Sequence, residues 1–405
     1  MRLARCFNVM DFRAAAQARL PSPLFHYIDG GADDEWSLRN NTAAFERYEL
    51  QPSQLRDVSR IDMTTRVLGV ALKMPIICSP TGMTRLFHHG KELAVAHAAA
   101  RAGVMYCLST MATTSLEDVA RSAAGPKMFQ IYVLKDRELT REFVHRAKEA
   151  GYDALCLTVD TPVAGNRERD RRTGMVMPPK LTRSSLASFV AHPAWSFHFL
   201  MNPDFRLANV AHRVDALGGG AMGLIDYVNS QFDRTVTWDD AAWLADQWDG
   251  PFVIKGIQSA ADAQRCAEIG ASAVMVSNHG GRQLDGTPAP IDCIRPIRDR
   301  VGDALELIVD GGVRRGVHVL KALALGADAC AFGRPYLYGL AAGGEKGVDR
   351  VLALMRDEIE RSLALLGRTN IRDVGVGDLR PKPLFNIPSK IVRGPSDSNG
   401  LRRPK

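Results

Sequence analysis

Residues 273–286 read Ala-Val-Met-Val-Ser-Asn-His-Gly-Gly-Arg-Gln-Leu-Asp-Gly, an apolar run followed by a loop rich in glycine and polar residues. The run predicts a short buried β-strand. The loop places His279, which can accept a proton near neutral pH, three residues before Arg282, which can bind a carboxylate through two parallel hydrogen bonds. Taken alone, the segment fits a strand-end turn with a surface histidine equally well. The remaining sequence favours the chemical interpretation, because the same strand-and-loop pattern recurs along the chain.

Eight apolar, strand-like runs alternate with helical segments. The predicted strands are residues 75–80, 105–110, 127–133, 154–160, 252–255, 273–277, 306–310 and 329–333. The predicted helices that follow them are residues 91–102, 116–122, 138–150, 237–248, 260–269, 291–301, 316–324 and 348–366. Continuous apolar strands are typical of parallel sheets that are buried on both faces. Strand–helix pairs in this strict order indicate an α/β protein of the (β/α)8 TIM barrel class, rather than a doubly wound sheet.

Three segments lie outside the repeating pattern. Residues 1–74 form a predicted helical extension, in which Asp11 is the expected N-cap of a helix over residues 12–20. The predicted barrel occupies residues 75–367, with an insertion at about 165–230 after the fourth strand. The tail comprises residues 368–405, and its part after Arg380 is proline-rich and basic and is expected to be an extended arm or disordered.

Composition limits the classes of protein that fit. The chain has 405 residues, of which 46% are hydrophobic and 24% charged, as is usual for a globular enzyme. Its seven cysteines lie mostly in apolar runs without a CxxC pair, which indicates reduced thiols in the cytoplasm. We find neither a signal-peptide core nor a membrane-spanning run. The net charge of +7 suits an anionic substrate, a phosphate-bearing cofactor or an acidic membrane surface, and does not argue for nucleic acid.

The polar residues at the strand ends predict the site, because TIM barrels carry their active sites at the carboxyl ends of the strands. Glycines beside Arg314 and Arg334, after the last two strands, predict a phosphate cradle, although tight turns also use glycine. Lys255 either stabilises negative charge on a flat ring or only forms an ion pair. The chain lacks a G-x-G-x-x-G after a strand and any metal-ligand spacing, so we expect no dinucleotide fold and no metal. A flat cofactor with a single phosphate points to FMN.

Four motifs carry a resemblance to a known family. They are Ser-Asn-His-Gly-Gly-Arg-Gln-Leu-Asp at 277–285, Leu-Thr-Val-Asp-Thr-Pro at 157–162, Phe-Gln-Ile-Tyr at 129–132 and Asp-Gly-Gly-Val-Arg-Arg-Gly at 310–316. Together the motifs resemble the FMN-dependent α-hydroxy acid dehydrogenase/oxidase family, which includes L-lactate dehydrogenase, mandelate dehydrogenase and glycolate oxidase. The resemblance covers about residues 8–375, and the motifs are highly specific in combination.

The resemblance implies roles for individual residues. The implied catalytic residues are His279, Asp160 and Tyr132, and the implied substrate-binding residues are Tyr27, Tyr132, Arg167, His279 and Arg282. His279 is the expected base, and Asp160 is expected to stabilise its protonated form. The two arginines would hold the substrate carboxylate, and Tyr132 would contact the substrate hydroxyl or carbonyl oxygen. From spacing alone Tyr27 reads as a packing residue, and the sequence leaves open whether His279 takes the C2 or the hydroxyl proton.

The resemblance also implies the residues that contact FMN. Those expected at the flavin ring and the ribityl chain are Pro80, Thr81, Gly82, Ser109, Gln130, Thr158, Lys255 and Ser277. Those expected at the ribityl and phosphate end are Asp310, Gly311, Gly312, Val313, Arg314, Gly333 and Arg334. Two positions depart from the family pattern. Met111 lies where glycolate oxidase carries tryptophan, so a bulkier or hydrophobic substrate side chain is expected, and Gly82 stands where many members have alanine.

The activity implied is FMN-dependent oxidation of a small (S)-2-hydroxy acid, lactate-like or mandelate-like, to the 2-oxo acid. A quinone or carrier protein receives the electrons in one reading, and oxygen receives them with formation of hydrogen peroxide in the other. A larger substrate, non-redox chemistry and a non-catalytic barrel are further alternatives. The resemblance implies a homotetramer. The aromatic insertion is interpreted either as a lid or as a peripheral contact with the inner face of the cytoplasmic membrane.

Overall fold

The computed structural model of the chain describes residues 3–175, 182–201, 205–212 and 231–381. The strands of these residues are β1 (Tyr48–Leu50), β2 (Thr65–Val67), β3 (Val70–Leu72), β4 (Ile76–Cys78), β5 (Met105–Ser109), β6 (Lys127–Ile131), β7 (Ala154–Thr158), β8 (Phe252–Ile257), β9 (Ala273–Ser277), β10 (Glu306–Asp310), β11 (Ala329–Phe332) and β12 (Leu379–Pro381). Strands β4 to β11 pair in parallel and in chain order, and β11 closes on β4. The predicted (β/α)8 barrel is therefore confirmed.

Helices follow the barrel strands along the chain, and further helices precede the first barrel strand. Those of the described residues are α1 (Val9–Gln17), α2 (Ser22–Asp29), α3 (Trp36–Ala43), α4 (Lys91–Ala102), α5 (Leu116–Ser122), α6 (Arg137–Glu149), α7 (Glu168–Thr173), α8 (Arg183–Ala191), α9 (Pro193–Met201), α10 (Trp238–Asp246), α11 (Ala260–Glu268), α12 (Pro290–Val301), α13 (Gly316–Ala324) and α14 (Arg334–Leu366). The amphipathic α6 shows why they form: it buries Leu139, Phe143, Val144 and Ala147, and the Asp136 side chain caps its start.

The register of the barrel places polar residues at one end. Apolar side chains fill its interior, among them Ile77, Met128, Val253 and Ile308, all with no exposed surface. At the carboxyl ends of the strands the pairing sets Ser109 beside Gln130, Thr158 beside Lys255, and Ser277 beside Asp310. Neighbouring strands thus deliver their last polar side chains to a common layer above the apolar core.

The N-terminal extension differs from the prediction at its first helix. Helix α1 begins at Val9, and its N-cap is Asn8, whose side chain accepts a hydrogen bond from the Asp11 backbone N–H. Asp11 is not the cap: its carboxylate lies in the first turn and accepts from the Phe7 backbone N–H. Asparagine caps helices as readily as aspartate does, so the sequence offered two candidates three residues apart.

The last helix also begins earlier than predicted. The sequence predicts a helix over residues 348–366, whereas α14 starts at Arg334, directly after β11. Two residues inside it, Gly343 and Gly344, leave helical geometry, and Gly344 has φ 61°. A Cβ atom at Gly344 would lie 2.6 Å from His88 Cε1, so only glycine fits this kink. The glycine pair therefore divides α14 into two helical segments that meet at a kink.

The insertion after β7 contains α7, α8 and α9. Residues 176–181, 202–204 and 213–230 of the insertion, and the tail beyond 381, lie outside the described residues, so the prediction for the tail falls there. Helix α9 packs on the loop after β4, where Trp195 Nε1 donates to the Leu86 carbonyl at 2.9 Å. No helix in the described parts of the chain is long and apolar enough to cross a membrane.

Candidate active site

A cavity of about 810 Å³ opens at the carboxyl ends of the barrel strands. It is lined by the residues that follow the strands, by α2 of the N-terminal extension and by the chain after β7. A cavity of this size at the carboxyl end is the expected place for a cofactor and a small substrate in this fold.

His279 lies on the wall of the cavity in a strained backbone conformation. Its φ is 55°, which is uncommon outside glycine. The Ser277 hydroxyl accepts from the His279 backbone N–H at 3.0 Å, and His279 Nδ1 lies 2.9 Å from Asp160 Oδ1. Burial lowers the pKa of His279, and Asp160 opposes that shift. Burial therefore favours the neutral form of His279, and its protonated form would have a carboxylate beside it.

A buried charge network lies behind His279. Lys255 Nζ is 3.2 Å from Asp310 Oδ2 and 3.8 Å from Asp160 Oδ2, and it donates to Ser277 Oγ at 3.0 Å. Burial disfavours the Lys255 cation, but the two carboxylates outweigh it and raise its pKa. Burial likewise disfavours the Asp160 carboxylate, whereas His279 and Lys255 outweigh it and lower its pKa. Lys255 is thus a fixed cation at the floor of the cavity.

Two arginines flank Tyr27 at the mouth. The guanidinium carbons of Arg167 and Arg282 each lie 5.0 Å from the centre of the Tyr27 ring. Arg282 Nη1 donates to the Tyr27 carbonyl at 2.6 Å and to the Gly30 carbonyl at 3.2 Å. Burial, and then repulsion from Arg167, lower the pKa of Arg282 to about 9. Two cations held this close form a receptor for an anion such as a carboxylate.

Two further arginines lie at the ends of β10 and β11. Arg314 Nη1 donates to the Val313 carbonyl, and Arg334 donates to backbone carbonyls that include that of Gly280. Neither forms an ion pair with a carboxylate among the described residues. Burial lowers the pKa of both, for Arg314 to about 10. An anionic group bound in this part of the cavity would offset the free-energy cost of burying the two cations.

The adjacent loop shows why glycine is needed there. Gly312 has φ 78°, and a Cβ atom on it would lie 1.8 Å from the Asn41 carbonyl oxygen of α3. The close approach of α3 therefore explains Gly312 without reference to a phosphate. Gly333, in contrast, would place a Cβ 3.2 Å from Thr81 Cγ2, on the cavity wall.

A row of polar side chains forms another wall. Ser109 Oγ donates to Gln130 Oε1 at 3.0 Å, which leaves Gln130 Nε2 buried without a hydrogen-bond partner among the described residues. Thr158 Oγ1 is buried and unpartnered within the same described residues. Polar groups in this state are costly unless a ligand pairs with them.

Most of the residues predicted from the sequence come together in this one cavity. Its wall includes Tyr27, Pro80, Thr81, Gly82, Ser109, Gln130, Tyr132, Thr158, Arg167, Lys255, His279, Arg282, Asp310, Gly311, Gly312, Val313, Arg314, Gly333 and Arg334. Asp160 and Ser277 do not reach the cavity surface. Asp160 lies behind His279, and Ser277, with no exposed surface, donates to Asp310 Oδ2 at 2.8 Å.

Some cavity residues were missed in the sequence. Residues 161–165 directly follow β7, so the strand-end rule could have identified them. Asp170 and Phe232 had no such signal, since one lies in α7 and the other follows the long insertion. The Phe232 ring packs edge-on against Tyr132 with centroids 5.0 Å apart. Among the described residues, no group of three or more His, Cys, Asp or Glu side chains is arranged to hold a metal ion.

Comparisons with known proteins agree with this geometry. The family model described as "FMN-dependent dehydrogenase" matches residues 16–381. An L-lactate oxidase of Nostoc sp. is 43% identical over 371 residues, which cover 91% of this chain and 96% of the relative. Glycolate oxidase 1 of Zea mays is 42% identical over 367 residues, covering 91% and 94%.

A solved structure extends the agreement to three dimensions. The crystal structure of the monotopic membrane protein (S)-mandelate dehydrogenase superposes with a TM-score of 0.90 at 38% identity, covering 93% of this chain and 100% of that one. Sequence and fold thus match the same group of enzymes over nearly the whole chain. This protein belongs to the FMN-dependent dehydrogenase family and is an oxidoreductase that uses FMN.

Proposed function

We propose that the enzyme oxidises an (S)-2-hydroxy acid, lactate-like or mandelate-like, to the 2-oxo acid and passes the electrons to a quinone or another carrier. One observation carries the proposal: His279, with Asp160 at 2.9 Å, shares a cavity with the two arginines that lie close to Tyr27. A base beside a carboxylate receptor is what proton removal from a bound hydroxy acid requires.

The cavity fits FMN on two observations. The unpartnered Gln130 Nε2 and Thr158 Oγ1 suit the polar edge of a flat ring, and Lys255 would offset negative charge on it. At the other side, Arg314 and Arg334 would hold the phosphate. When bound there, FMN supplies the acceptor for the two electrons that leave the substrate.

The protein residues supply binding and proton transfer. Arg282 and Arg167 would hold the substrate carboxylate, which turns the C2 atom toward His279. His279 would take the proton at Nε2, because Nδ1 faces Asp160, and the carboxylate then stabilises the imidazolium. Burial and the nearby Asp160 raise the pKa of Tyr132, so its hydroxyl stays protonated and can donate to the substrate oxygen.

The wall around the substrate side chain favours a bulky apolar group. The apolar residues Phe87, Met111, Met175 and Phe232 line the cavity, and the Phe232 ring packs on Tyr132. A Cβ atom at Gly82 would lie 2.8 Å from Met111 Cβ, so the glycine allows Met111 its position. We therefore favour an aromatic, mandelate-like acid over lactate.

An oxidase is the second candidate, because the L-lactate oxidase and the glycolate oxidase are the relatives at 43% and 42% identity. Anaerobic bleaching of the flavin by a panel of 2-hydroxy acids tests the substrate class, and failure of every acid would overturn the proposal. Stopped-flow reoxidation of the reduced enzyme by oxygen and by a quinone then separates oxidase from dehydrogenase. We expect the quinone to react faster.

The insertion supports a peripheral membrane contact in this proposal. Helices α8 and α9 expose five apolar side chains: Leu186, Val190, Phe197, Leu200 and Met201. None of the residues of α8 and α9 lines the cavity, which weighs against the lid alternative. Exposed apolar residues on a basic chain suit an acidic bilayer, such as the inner face of the cytoplasmic membrane.

The remaining expectations concern organisation. We propose an extension at residues 1–74, a barrel at 75–367 and a tail at 368–405, assembled as a homotetramer. The antiparallel pairing of β1 with β12, which aligns Leu50 with Leu379, ties the extension to the first residues of the tail. Light scattering on the purified enzyme tests the tetramer.

A further inference from the structure

Asp170 is a buried carboxylate with few interactions that offset the cost of burying its charge. It is the buried residue of α7, with 3% of its surface exposed, and it lines the cavity. Neither of its carboxylate oxygens has a hydrogen-bond partner among the described residues. Burial raises the pKa of Asp170 against the effect of nearby cations. A carboxylate is costly in such a place, so its charge calls for an explanation.

Asp170 forms an ion pair with Arg167. Arg167 Nε lies 3.2 Å from Asp170 Oδ2, without the alignment of a hydrogen bond. Arg282 has backbone carbonyls to hold it, whereas Arg167 is held by side chains: it forms the ion pair with Asp170 and contacts Tyr27. The ion pair engages the Nε edge of the guanidinium, so terminal N–H groups can still donate to another anion.

Four basic side chains act on the Asp170 carboxylate. Arg167 is the N-cap residue of α7 and Arg169 lies in that helix, while Arg282 comes from the loop after β9 and His26 from α2. Arg167 and Arg282 repel each other, and both lie close to the Tyr27 ring. Asp170 is therefore the counter-charge that allows two guanidinium groups to face the same cavity.

We propose that Asp170 is a positioning residue, which holds Arg167 toward the substrate carboxylate through their ion pair. Asp170 does not touch the reacting atoms in this role; it acts through Arg167. The proposal rests on the proposed function, since it takes the anion bound by Arg167 to be the carboxylate of a 2-hydroxy acid.

The test is Asp170→Asn in the full-length enzyme loaded with FMN. We expect KM for the 2-hydroxy acid to rise on the order of tenfold to a hundredfold, because a misplaced anchor weakens binding, while kcat stays within about threefold. Calorimetric titration with the 2-oxo acid should show the same loss of affinity without turnover. Glu168→Gln is the matched control: it is a neighbour on α7 that pairs with Arg172, and it should change neither quantity beyond about twofold.

A double-mutant cycle decides whether Asp170 acts through Arg167. In an Arg167→Met background, Asp170→Asn should add less than about twofold to KM. An equal added effect in both backgrounds, or a loss confined to kcat, overturns the proposal. If Asp170→Asn does not fold, Asp170→Glu decides: a raised KM with unchanged kcat supports the role, and an unchanged KM overturns it. A wild-type enzyme reduced by no 2-hydroxy acid would defeat the proposed function, whereas a reducible enzyme indifferent to both substitutions defeats only the role of Asp170.

Discussion

His279 combines a strained backbone with a fixed side chain. Its φ of 55° costs on the order of 1–3 kcal/mol for a residue that carries a Cβ atom. The Ser277 hydroxyl compensates by accepting from the backbone N–H, and Asp160 holds the ring. Gly280 and Gly281 follow with φ 65° and 74°, so the chain turns away at once and leaves the imidazole on the cavity wall. Strain that persists at such a place is typical of functional residues.

His279→Gln should abolish most of the chemistry while the cofactor stays bound. Glutamine keeps a polar side chain but cannot act as a base, so the rate constant of flavin reduction should fall by roughly 10²–10⁴. FMN content should be unchanged, because His279 is expected to contact the substrate. His145→Gln, whose side chain is 69% exposed on α6, is the control. Anaerobic stopped-flow spectroscopy measures both, and a His279→Gln rate within about tenfold of wild type would point to another base.

Asp160→Asn should move the pH profile of the reaction. Burial lowers the pKa of His279 below its ordinary value and Asp160 raises it, so the carboxamide should lower it further. Neutral His279 is the active form, and the rate rises as pH increases through its pKa. The acid limb of flavin reduction should therefore move to lower pH, at a reduced plateau. Asp303→Asn, at a fully exposed aspartate, should leave the limb in place. A shift to higher pH would contradict the assigned pairing.

Helices α8 and α9 expose apolar side chains that do not pack on the barrel. Val190 is 80% and Leu200 76% exposed, and α9 is attached to the barrel through Trp195. Aromatic residues in this insertion suggested two roles in the sequence. In the structure, some apolar side chains of the insertion are packed and others are exposed. Trp195 stacks on Phe199 with ring centroids 4.9 Å apart, whereas the aliphatic residues face outward.

Val190→Glu combined with Leu200→Glu should weaken binding to anionic vesicles. The double change removes apolar contact and adds two negative charges, and both effects oppose docking on an acidic bilayer. The matched control is Leu55→Glu with Val376→Glu, which changes two exposed apolar residues elsewhere by the same charge. In flotation at low salt, the wild type and the control should rise with the vesicles, whereas the α8–α9 variant should stay behind in the vesicle-free fraction. Equal flotation of all three proteins argues against the contact.

Residues from every strand of the barrel contribute to the selection of the cofactor. The cavity of about 810 Å³ receives residues from the ends of all its strands, and Arg314 and Arg334 on its wall are the expected ligands of an anion. We expect about one FMN per chain, with neither FAD nor a nicotinamide. Flavin released by heat and identified by chromatography measures this. Replacing both arginines by Met should lower the FMN content, whereas replacing Arg66 and Arg372, both exposed and remote from the cavity, should not.

Order and type of the barrel elements were predictable from the sequence, and most site residues with them. Each barrel strand is a mainly apolar run with a polar residue at or near its carboxyl end, and this local pattern needs no tertiary information. Boundaries were less predictable. Asn8 rather than Asp11 caps α1, and α14 runs through Gly343-Gly344, because capping and kinks depend on neighbours such as His88.

The sequence by itself determined the (β/α)8 fold and the FMN family, and it led to the proposal of His279 as the base with Arg167 and Arg282 as its partners, since motifs and periodicity are written along the chain. Only the tertiary structure decided which residues meet across it. Asp170 forms an ion pair with Arg167, Phe232 packs on Tyr132, and buried Ser277 accepts a hydrogen bond from Lys255. Such pairings join residues from different elements, and closure of the barrel sets the distances between them. Burial then decides their charge, because desolvation acts on a side chain only once its surroundings are in place.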